Sequence, residues 1–213
     1  MNEKPQIWID LSHWETERGD TKAHVPFDWN VFRAAGGYSA TIRATYMIDT
    51  AGKRPATDAQ YLANVADAQS ANALPVSYHL FEMAAGTWQV QANYFLSVAN
   101  LFDQPAMLDF ELAGSVPATD VQKWLGYVGD KTGKAPWFYS NPSTIKAHFK
   151  PSDTWLRAFP LIMAVYNDDP FPPDPLPYFP SDPIGIQFTG SAYAPAYGVK
   201  NGNLGAALYE MWL

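Results

Sequence analysis

The segment QPAMLDFE, residues 104–111, decides the predicted fold of this chain. A short apolar run follows the turn signal of Pro105 and ends in two acids separated by one large apolar residue. An apolar run bounded in this way predicts a buried β-strand. Because side chains alternate between the two faces of a strand, Asp109 and Glu111 are predicted to share one face and Phe110 to lie on the other.

The two acids at the end of this strand have two interpretations. Like charges raise each other's pKa, so two carboxylates side by side are unfavourable unless the protein uses them. Active sites use such pairs to keep one acid protonated and the other ionised. The alternative is a strand end at which both acids meet solvent, with a lysine or arginine beside them. The segment 104–111 alone does not decide between these two interpretations.

The rest of the chain predicts strands and helices in alternation around this strand. Five predicted strands are each followed by a helix: the strands cover residues 6–12, 40–46, 74–81, 104–111 and 135–140, and the helices cover 27–35, 58–72, 87–101, 117–128 and 143–149. Strands at 161–166, 184–188 and 207–212 then follow without helices between them. This order predicts a single-domain α/β barrel over residues 1–213, TIM-like, with about five βα units followed by three β-strands.

A proline-dense loop, residues 169–177, joins the first two of those closing strands. Prolines restrict φ, so this loop is too stiff for a disordered linker and too interrupted for regular structure. We expect the segment 169–183 to form one wall of a substrate groove.

Barrels of this kind carry their chemistry at the carboxyl ends of their strands. The residues predicted at those ends are acidic, aromatic or imidazole side chains: Asp10, Tyr46, Tyr78, His79, Asp109, Glu111, Tyr139 and Tyr166. Three carboxylates surrounded by tyrosines on one face favour the catalytic interpretation of the acid pair.

The composition excludes several other classes of protein. A net charge of −7 disfavours nucleic acid as a partner, because phosphate binding needs basic patches. No stretch of 18 apolar residues is present to span a membrane. The absence of cysteine excludes disulfides, thiol catalysis and cysteine-bound zinc. Residues 1–6 lack the apolar core of a signal peptide, so we expect release by another route or prior removal of a signal.

Short motifs in a fixed order along the chain resemble a known enzyme family. They are Ile9-Asp10-Leu11-Ser12-His13-Trp14, Arg43-Ala44-Thr45, Tyr78-His79, Leu108-Asp109-Phe110-Glu111, Tyr139-Ser140, Ala164-Val165-Tyr166 and Gln187-Phe188-Thr189. Each motif alone is weak, but their order and spacing over nearly the whole chain resemble glycoside hydrolase family 25. These are the N-acetylmuramidases of bacteria, phages and some fungi, often called Chalaropsis-type lysozymes. The resemblance implies a flattened barrel of five βα units and three further strands.

The resemblance also implies a reaction and the residues that perform it. The reaction is hydrolysis of the β-1,4 bond between N-acetylmuramic acid and N-acetylglucosamine in peptidoglycan. Glu111 is implied as general acid/base, with Asp109 and Asp10 completing the acidic site. Substrate contacts are expected from Tyr46, Tyr78, His79, Tyr139, Tyr166, Gln187 and Asn201. We expect an endolysin-like, antimicrobial monomer that acts on the bacterial cell wall outside the cell, without a cofactor or metal.

Several positions depart from the residues usual in that family. An Asp-x-Asn motif near the C-terminus is here Asn201-Gly202-Asn203, which replaces the acid by an amide of similar shape without charge. The other departures replace glycines or tryptophans, and they lie at Tyr46-Met47, Ser77, Ile162-Met163 and Ile186. They indicate a divergent member, and they bear on the substrate's fine identity and the turnover rate more than on the reaction type.

A catalytically inactive barrel that binds peptidoglycan, or that serves as a phage structural part, is the main alternative. Asn201 and the missing tryptophans favour it. The intact Asp10, Asp109 and Glu111 argue against it, because we expect a chain that has lost the activity to replace these unfavourable acids first.

A metal hydrolase is a second alternative, since His13 and His79 accompany the acids and imidazole binds divalent ions. The chain has neither the HxH nor the HExxH spacing. Lone histidines more often only form hydrogen bonds, so the sequence favours a site without metal.

Overall fold

The computed structural model describes residues 6–18, 21–49, 54–81, 86–111, 116–165, 183–192, 198 and 206–211. The strands in these ranges are β1 (Gln6–Leu11), β2 (Gly37–Asp49), β3 (Arg54–Thr57), β4 (Val76–Leu80), β5 (Met107–Asp109), β6 (Trp137–Ser140), β7 (Leu161–Ala164), β8 (Gly185–Ala192) and β9 (Ala206–Met211). The helices are α1 (His13–Thr16), α2 (Trp29–Ala34), α3 (Tyr61–Ser70), α4 (Trp88–Val98), α5 (Ala118–Thr132) and α6 (Pro142–His148), with a 3₁₀ helix at Thr154–Ala158. Among these described helices, none has the length and apolar character needed to cross a membrane.

Eight of the strands close into a barrel. Seven run parallel, each paired with the next around the ring in the order β1, β2, β4, β5, β6, β7, β8. β9 lies antiparallel between β8 and β1 and completes the ring. β3 pairs antiparallel with the C-terminal half of β2, outside the ring. The predicted α/β barrel, with five βα units followed by β-strands, is confirmed.

Alternation along the strands divides the core into two parts. One set of side chains fills the barrel interior: Trp8, Val76, Tyr78, Met107, Trp137, Tyr139, Ile162, Ala164 and Met211. The other set packs under the helices and includes Ile9, Leu11, Ile42, Leu108 and Phe138 with Phe95 and Trp124. A residue's parity on its strand therefore decides whether it reaches the interior or the helical layer.

Helix caps fix the backbone just beyond β1 and β6. The hydroxyl of Ser12 accepts from the backbone N–H of Trp14 at 3.2 Å, and the carboxylate of Glu15 accepts from the backbone N–H of Ser12 at 2.8 Å. This reciprocal pair is a capping box. After β6, the side chain of Asn141 accepts from the backbone N–H of Thr144 at 2.8 Å. Both helices thus begin immediately after strands that deliver site residues.

The structure differs from the sequence prediction in three details. β3 contains Pro55, a residue that argues against a strand in sequence but is tolerated on an edge strand such as this one. α1 has four residues, too few for helical periodicity to be visible. The predicted strand 104–111 is regular only over Met107–Asp109. The segment 169–183, predicted as a groove wall, lies outside the described residues apart from Pro183.

Gly37, at the start of β2, packs directly against an aromatic ring. A Cβ atom on Gly37 would lie 2.4 Å from ring atoms of Phe32, a fully buried side chain of α2. Such atoms must move apart, and a close-packed core resists the movement. We expect Gly37→Ala to lower the free energy of unfolding by about 1–3 kcal/mol, measured by urea denaturation.

Gly126 in α5 provides the matched control. No heavy atom lies within 4 Å of a Cβ atom on Gly126. Alanine is favoured over glycine in a helix interior by roughly 0.5–1 kcal/mol, so Gly126→Ala should raise the free energy of unfolding. Equal stability of the two variants would contradict the close contact between β2 and α2.

Candidate active site

Three carboxyl groups come from the carboxyl ends of two barrel strands. Asp10 lies near the end of β1, Asp109 ends β5, and Glu111 follows two residues later. Phe110, between the two acids, packs away from the interior, with its ring 6.3 Å from that of Phe138 and 5.8 Å from that of Phe149. The predicted sharing of one face by Asp109 and Glu111 therefore agrees with the structure.

Asp10 is held by hydroxyl groups from β2, which is the adjacent parallel strand, and from β4, which lies next to β2. The hydroxyl of Thr41 donates to Oδ1 at 3.2 Å, and the phenol of Tyr78 donates to Oδ2 at 3.3 Å. Burial raises the pKa of Asp10 to about 7, and the nearby carboxylate of Glu15 acts in the same direction. The guanidinium of Arg43 opposes this rise. Asp10 is therefore poised to change its charge near neutral pH.

Asp109 is the most buried of the three acids. Its side chain is buried, and its Oδ1 accepts no hydrogen bond from any described residue. Burial, followed by the charges of Glu111 and Asp10, holds the pKa of Asp109 well above its usual range, with Arg43 opposing. A buried carboxyl oxygen without a donor is unfavourable, so a ligand N–H or O–H would be bound strongly there.

Glu111 interacts with a tyrosine from the next strand. The phenol oxygen of Tyr139 lies 3.2 Å from Glu111 Oε1 and 2.5 Å from Gln187 Oε1. Burial raises the pKa of Glu111, and hydrogen bonds from Tyr139 and Asn141 oppose the rise. The phenol has one proton to donate. When that proton is donated to Gln187, the phenol oxygen accepts from a protonated Glu111, an arrangement that suits a general acid.

Asp10, Asp109 and Glu111 form the acidic cluster, and Arg43 is a cation that faces it. Its Nε and Nη2 each donate to Oδ2 of Asp58 at 2.8 Å, and Asp58 is fully buried at its side chain. Asp58 also accepts from the backbone N–H groups of His13 at 3.2 Å and Gln60 at 3.0 Å. Although burial alone would lower it, the pKa of Arg43 is raised by Tyr78, Asp58 and Asp10. Asp58 thus fixes a permanent positive charge beside Asp10.

An aromatic rim, formed by Trp14, His13 and Tyr46, lies next to this cation. The Tyr46 ring centre is 5.2 Å from the guanidinium carbon of Arg43 and 6.4 Å from the His13 ring centre. The His13 and Trp14 rings are 4.4 Å apart, and Trp14 is 58% exposed. Exposed rings of this kind offer flat apolar faces for the flat apolar faces of sugars.

His79, predicted as a substrate contact, lies on the opposite face of its strand. It is fully buried, with Nδ1 2.7 Å from the Thr45 hydroxyl and Nε2 2.7 Å from Gln91 Oε1. Its ring stacks on Trp124 at 5.8 Å in the helical layer. Burial lowers the pKa of His79 to about 4, so it is neutral at physiological pH. The expectation for His79 is corrected: strand parity directs it away from Tyr78 and the acids.

The other predicted site residues divide into two groups. Tyr46, Tyr78, Tyr139 and Gln187 join Asp10, Asp109 and Glu111 through the contacts described above. Tyr166 and Asn201 lie outside the described residues. Within the described ranges, no group of three or more histidine, aspartate or glutamate side chains is arranged to hold a metal ion.

The sequence profile of Glycosyl hydrolases family 25 matches residues 9–195, from β1 past the end of β8. The chain belongs to glycosyl hydrolase family 25. It is therefore a glycoside hydrolase, and the acidic cluster lies where a barrel of this type carries its chemistry.

Individual relatives of this family 25 chain agree with the family match. An N,O-diacetylmuramidase from Chalaropsis sp. is 29% identical over 149 residues, which cover 61% of this chain and 70% of the relative. The bacterial lysozyme from Streptomyces coelicolor superposes with a TM-score of 0.74 at 19% identity, covering 99% of this chain and 93% of that one. The spore cortex lytic enzyme SleM of Clostridium perfringens superposes with a TM-score of 0.76 at 15% identity, covering 99% of this chain and 68% of that one. These structures share the fold.

Sequence reasoning does not assign three charged residues of this family 25 site, namely Glu15, Arg43 and Asp58. Arg43 carries one signal, because it is the charged residue within the otherwise uncharged strand segment 40–46. Glu15 resembles an ordinary capping-box acid, and Asp58 lies beyond the strand on which its partner stands. Their roles depend on contacts between distant segments.

Asp10 should make the stability of this family 25 enzyme depend on pH. Its pKa is about 7 in the folded protein, against an ordinary value of 3.8. Between these values the folded chain binds a proton that the unfolded chain lacks. The stabilisation is complete below about pH 4 and is lost as the pH rises through about 7.

We expect Asp10→Asn to remove this loss. At pH 8 the variant should be more stable than the wild type by on the order of 1–3 kcal/mol, and near pH 4 the two should agree. Thermal unfolding measured between pH 4 and 8 tests this, with the exposed Asp130→Asn as control for removal of one carboxyl. Parallel pH profiles of Asp10→Asn and the wild type would contradict it.

Proposed function

We propose that this family 25 enzyme is an N-acetylmuramidase that hydrolyses the β-1,4 bond between N-acetylmuramic acid and N-acetylglucosamine in peptidoglycan. The observation that carries the proposal is the pair formed by the buried Asp109 and the half-buried Glu111 at the end of β5, with the pKa of both groups raised. The muramidase from Chalaropsis sp. supports the substrate class.

Glu111 is proposed as the general acid and, later, the general base. Its raised pKa keeps it protonated at the start of the reaction, so that it donates to the leaving glycosidic oxygen. Once ionised, it takes a proton from the water that completes hydrolysis. Tyr139 supports both states, because its phenol oxygen accepts from the protonated acid and its O–H donates to the carboxylate.

Asp109 is proposed to act on the acetamido group of the substrate. Both sugars of the glycan carry a 2-acetamido group, whose carbonyl oxygen can attack the anomeric carbon, as in known substrate-assisted glycosidases. The unpartnered Oδ1 of Asp109 is an acceptor for the acetamido N–H. A carboxylate there would stabilise the positive charge that develops on the cyclic intermediate. Two inversions at the anomeric carbon then give net retention of configuration.

Asp10 and Arg43 are proposed to set the electrostatics of the site. The fixed guanidinium opposes the raised pKa of both Asp10 and Asp109. It therefore favours one ionised carboxylate in the cluster while Glu111 keeps its proton. Tyr46 and Tyr78, with Gln187, are proposed to line the glycan groove, and we expect Tyr166 and Asn201 to extend it.

Clearing of purified cell walls tests this function. The protein should lower the turbidity of a peptidoglycan suspension, and mass spectrometry should find products with N-acetylmuramic acid at the new reducing end. New reducing ends on N-acetylglucosamine would indicate a glucosaminidase instead. We further propose that the enzyme acts on the wall outside the cell and that it is a monomer. Light scattering of the free protein would check the monomeric state.

An inactive wall-binding barrel is the second candidate, favoured by Asn201-Gly202-Asn203 in place of the usual acidic motif. The same assay separates the two functions. An inactive barrel would sediment with cell walls without lowering their turbidity or releasing new reducing ends.

A further inference from the structure

A cavity opens at the end of the barrel opposite to the acidic cluster. We name it the basal pocket, and the residues that line it include Gln6, Arg33, Tyr38, Ser39, Asn72 and Gln104. These residues lie at the starts of β1 and β2, at the end of α2, and in the segments that lead into β4 and β5. Its volume of about 320 Å³ falls at the lower end of the range for small-molecule sites.

A buried hydroxyl group in the basal pocket has no protein partner. Ser39 is 1% exposed, and its Oγ forms no hydrogen bond with any described residue. Thr41, two residues further along the same face, uses its hydroxyl to bind Asp10. A hydroxyl that is buried without a partner is unfavourable by about 1–3 kcal/mol. Its position in the wall of a cavity points to a polar ligand there.

The basal pocket also presents a cation and an aromatic ring. The guanidinium carbon of Arg33 lies 5.6 Å from the ring centre of Tyr38, which is 47% exposed. Among the described residues, no carboxylate forms an ion pair with Arg33. A guanidinium oriented by an aromatic face binds carboxylates through two parallel hydrogen bonds.

The remaining polar groups suit a sugar. Gln6, Asn72 and Gln104 also line the pocket, and their side-chain amides carry both donors and acceptors, of which Gln6 Oε1 already accepts from Trp8 Nε1 at 3.3 Å. The exposed face of Leu74, also part of the lining, adds an apolar surface. A combination of amides, hydroxyl groups, one cation and apolar surface matches a sugar ring that carries a carboxylate.

We propose that the basal pocket is a second, non-catalytic saccharide site that binds a sugar bearing a carboxylate, of the N-acetylmuramic acid type. This inference rests on the proposed function for its choice of sugar. Arg33 binds the carboxylate, Ser39 and the amides bind the ring hydroxyls and acetamido group, and Tyr38 orients the guanidinium. The site would tether the enzyme to the wall through one glycan strand while the acidic cluster acts on another.

Titration of the ¹⁵N-labelled protein with free N-acetylmuramic acid, followed by NMR, tests the proposal. This monosaccharide has no glycosidic bond to hydrolyse. We expect millimolar binding that shifts the amide signals of Ser39, Asn72 and Gln104. N-acetylglucosamine, which lacks the carboxylate, and lactate, which lacks the ring, should each bind at least about tenfold more weakly at these signals.

Two variants assign the interaction to the pocket. Arg33→Gln should weaken the binding of N-acetylmuramic acid about tenfold, whereas Lys123→Gln, which removes one exposed positive charge on α5, should not. Ser39→Ala should weaken binding without loss of stability, because the removed hydroxyl has no protein partner. If Ser39→Ala were unfolded, Arg33→Gln would still decide the result.

Several outcomes would overturn the proposal. Shifts confined to the surroundings of Asp10 and Glu111 would place the sugar in the active site alone. Equal binding by lactate would reduce the pocket to a simple carboxylate site, and equal binding by Arg33→Gln would remove the cation from it. Wall clearing with muramidase products, together with no shift at Ser39, would overturn the basal pocket and leave the proposed function intact. Shifts at Ser39 without any wall clearing would overturn the proposed function and leave the basal pocket intact.

Discussion

Replacement of Glu111 by glutamine is expected to reduce cell-wall clearing by at least about a hundredfold while the barrel remains folded. The change keeps the size of the side chain and removes the proton that Glu111 donates to the leaving oxygen. Glutamine also keeps a hydrogen bond to the phenol of Tyr139, which lies 3.2 Å from the present carboxyl oxygen. Burial raises the pKa of Glu111 in the wild type, so removal of this acid should if anything stabilise the fold at alkaline pH.

The matched control is Glu17→Gln. Glu17 is a buried glutamate that pairs with Lys22 at 3.1 Å and lies outside the acidic cluster. Its replacement should leave clearing nearly unchanged. Circular dichroism and thermal unfolding of both variants confirm that they are folded. Near-normal clearing by a folded Glu111→Gln variant would exclude Glu111 as the general acid.

Much of the barrel is visible in the sequence because its signals are local. The alternation in segments such as 104–111 fixes which residues face the interior, and the positions of Asp109, Phe110 and Glu111 agree with it. The order of strands and helices then gives the parallel ring. Because parallel strands end on one side, the gathering of Asp10 with the acid pair follows from the fold class alone.

The errors have identifiable physical causes. His79 and Tyr78 are both polar residues near a strand end and look alike in the sequence, yet adjacent residues on a strand face opposite ways. The role of Asp58 depends on an ion pair across 15 residues with Arg43, and no local pattern encodes that distance. The basal pocket likewise arises only when the starts of four elements meet at one end of the ring.

The electrostatics of the cluster connect these findings. Burial raises the pKa of Asp10, Asp109 and Glu111, and a site with three neutral acids would lack the negative charge that a cationic intermediate needs. Arg43 supplies the opposing charge, and Asp58 holds it in place. The protons of the cluster are shared, so the pH profile of activity reports the group as a whole.

Asp109→Asn is expected to lower the rate on N-acetylated glycan by about a hundredfold or more, comparable to the loss of one group that stabilises developing charge. Asparagine fits the same space and keeps an oxygen that accepts from the acetamido N–H. It lacks the negative charge, however, so the cyclic cation formed from the acetamido group loses its counter-ion. Because Asp109 is buried and its pKa is raised, the fold should tolerate the neutral side chain well.

Substrate and protein changes combined show whether Asp109 acts through the acetamido group. Four rates are compared: wild type and Asp109→Asn, each on N-acetylated and on de-N-acetylated glycan. If the group and the residue act together, removal of the acetyl should lower the wild-type rate strongly and should leave little further loss for the variant. NMR of the first product should show the anomer of the substrate, since two successive inversions retain configuration. Inverted product, or independent and multiplicative losses in the four rates, would exclude the acetamido mechanism and assign Asp109 a direct role at the anomeric carbon.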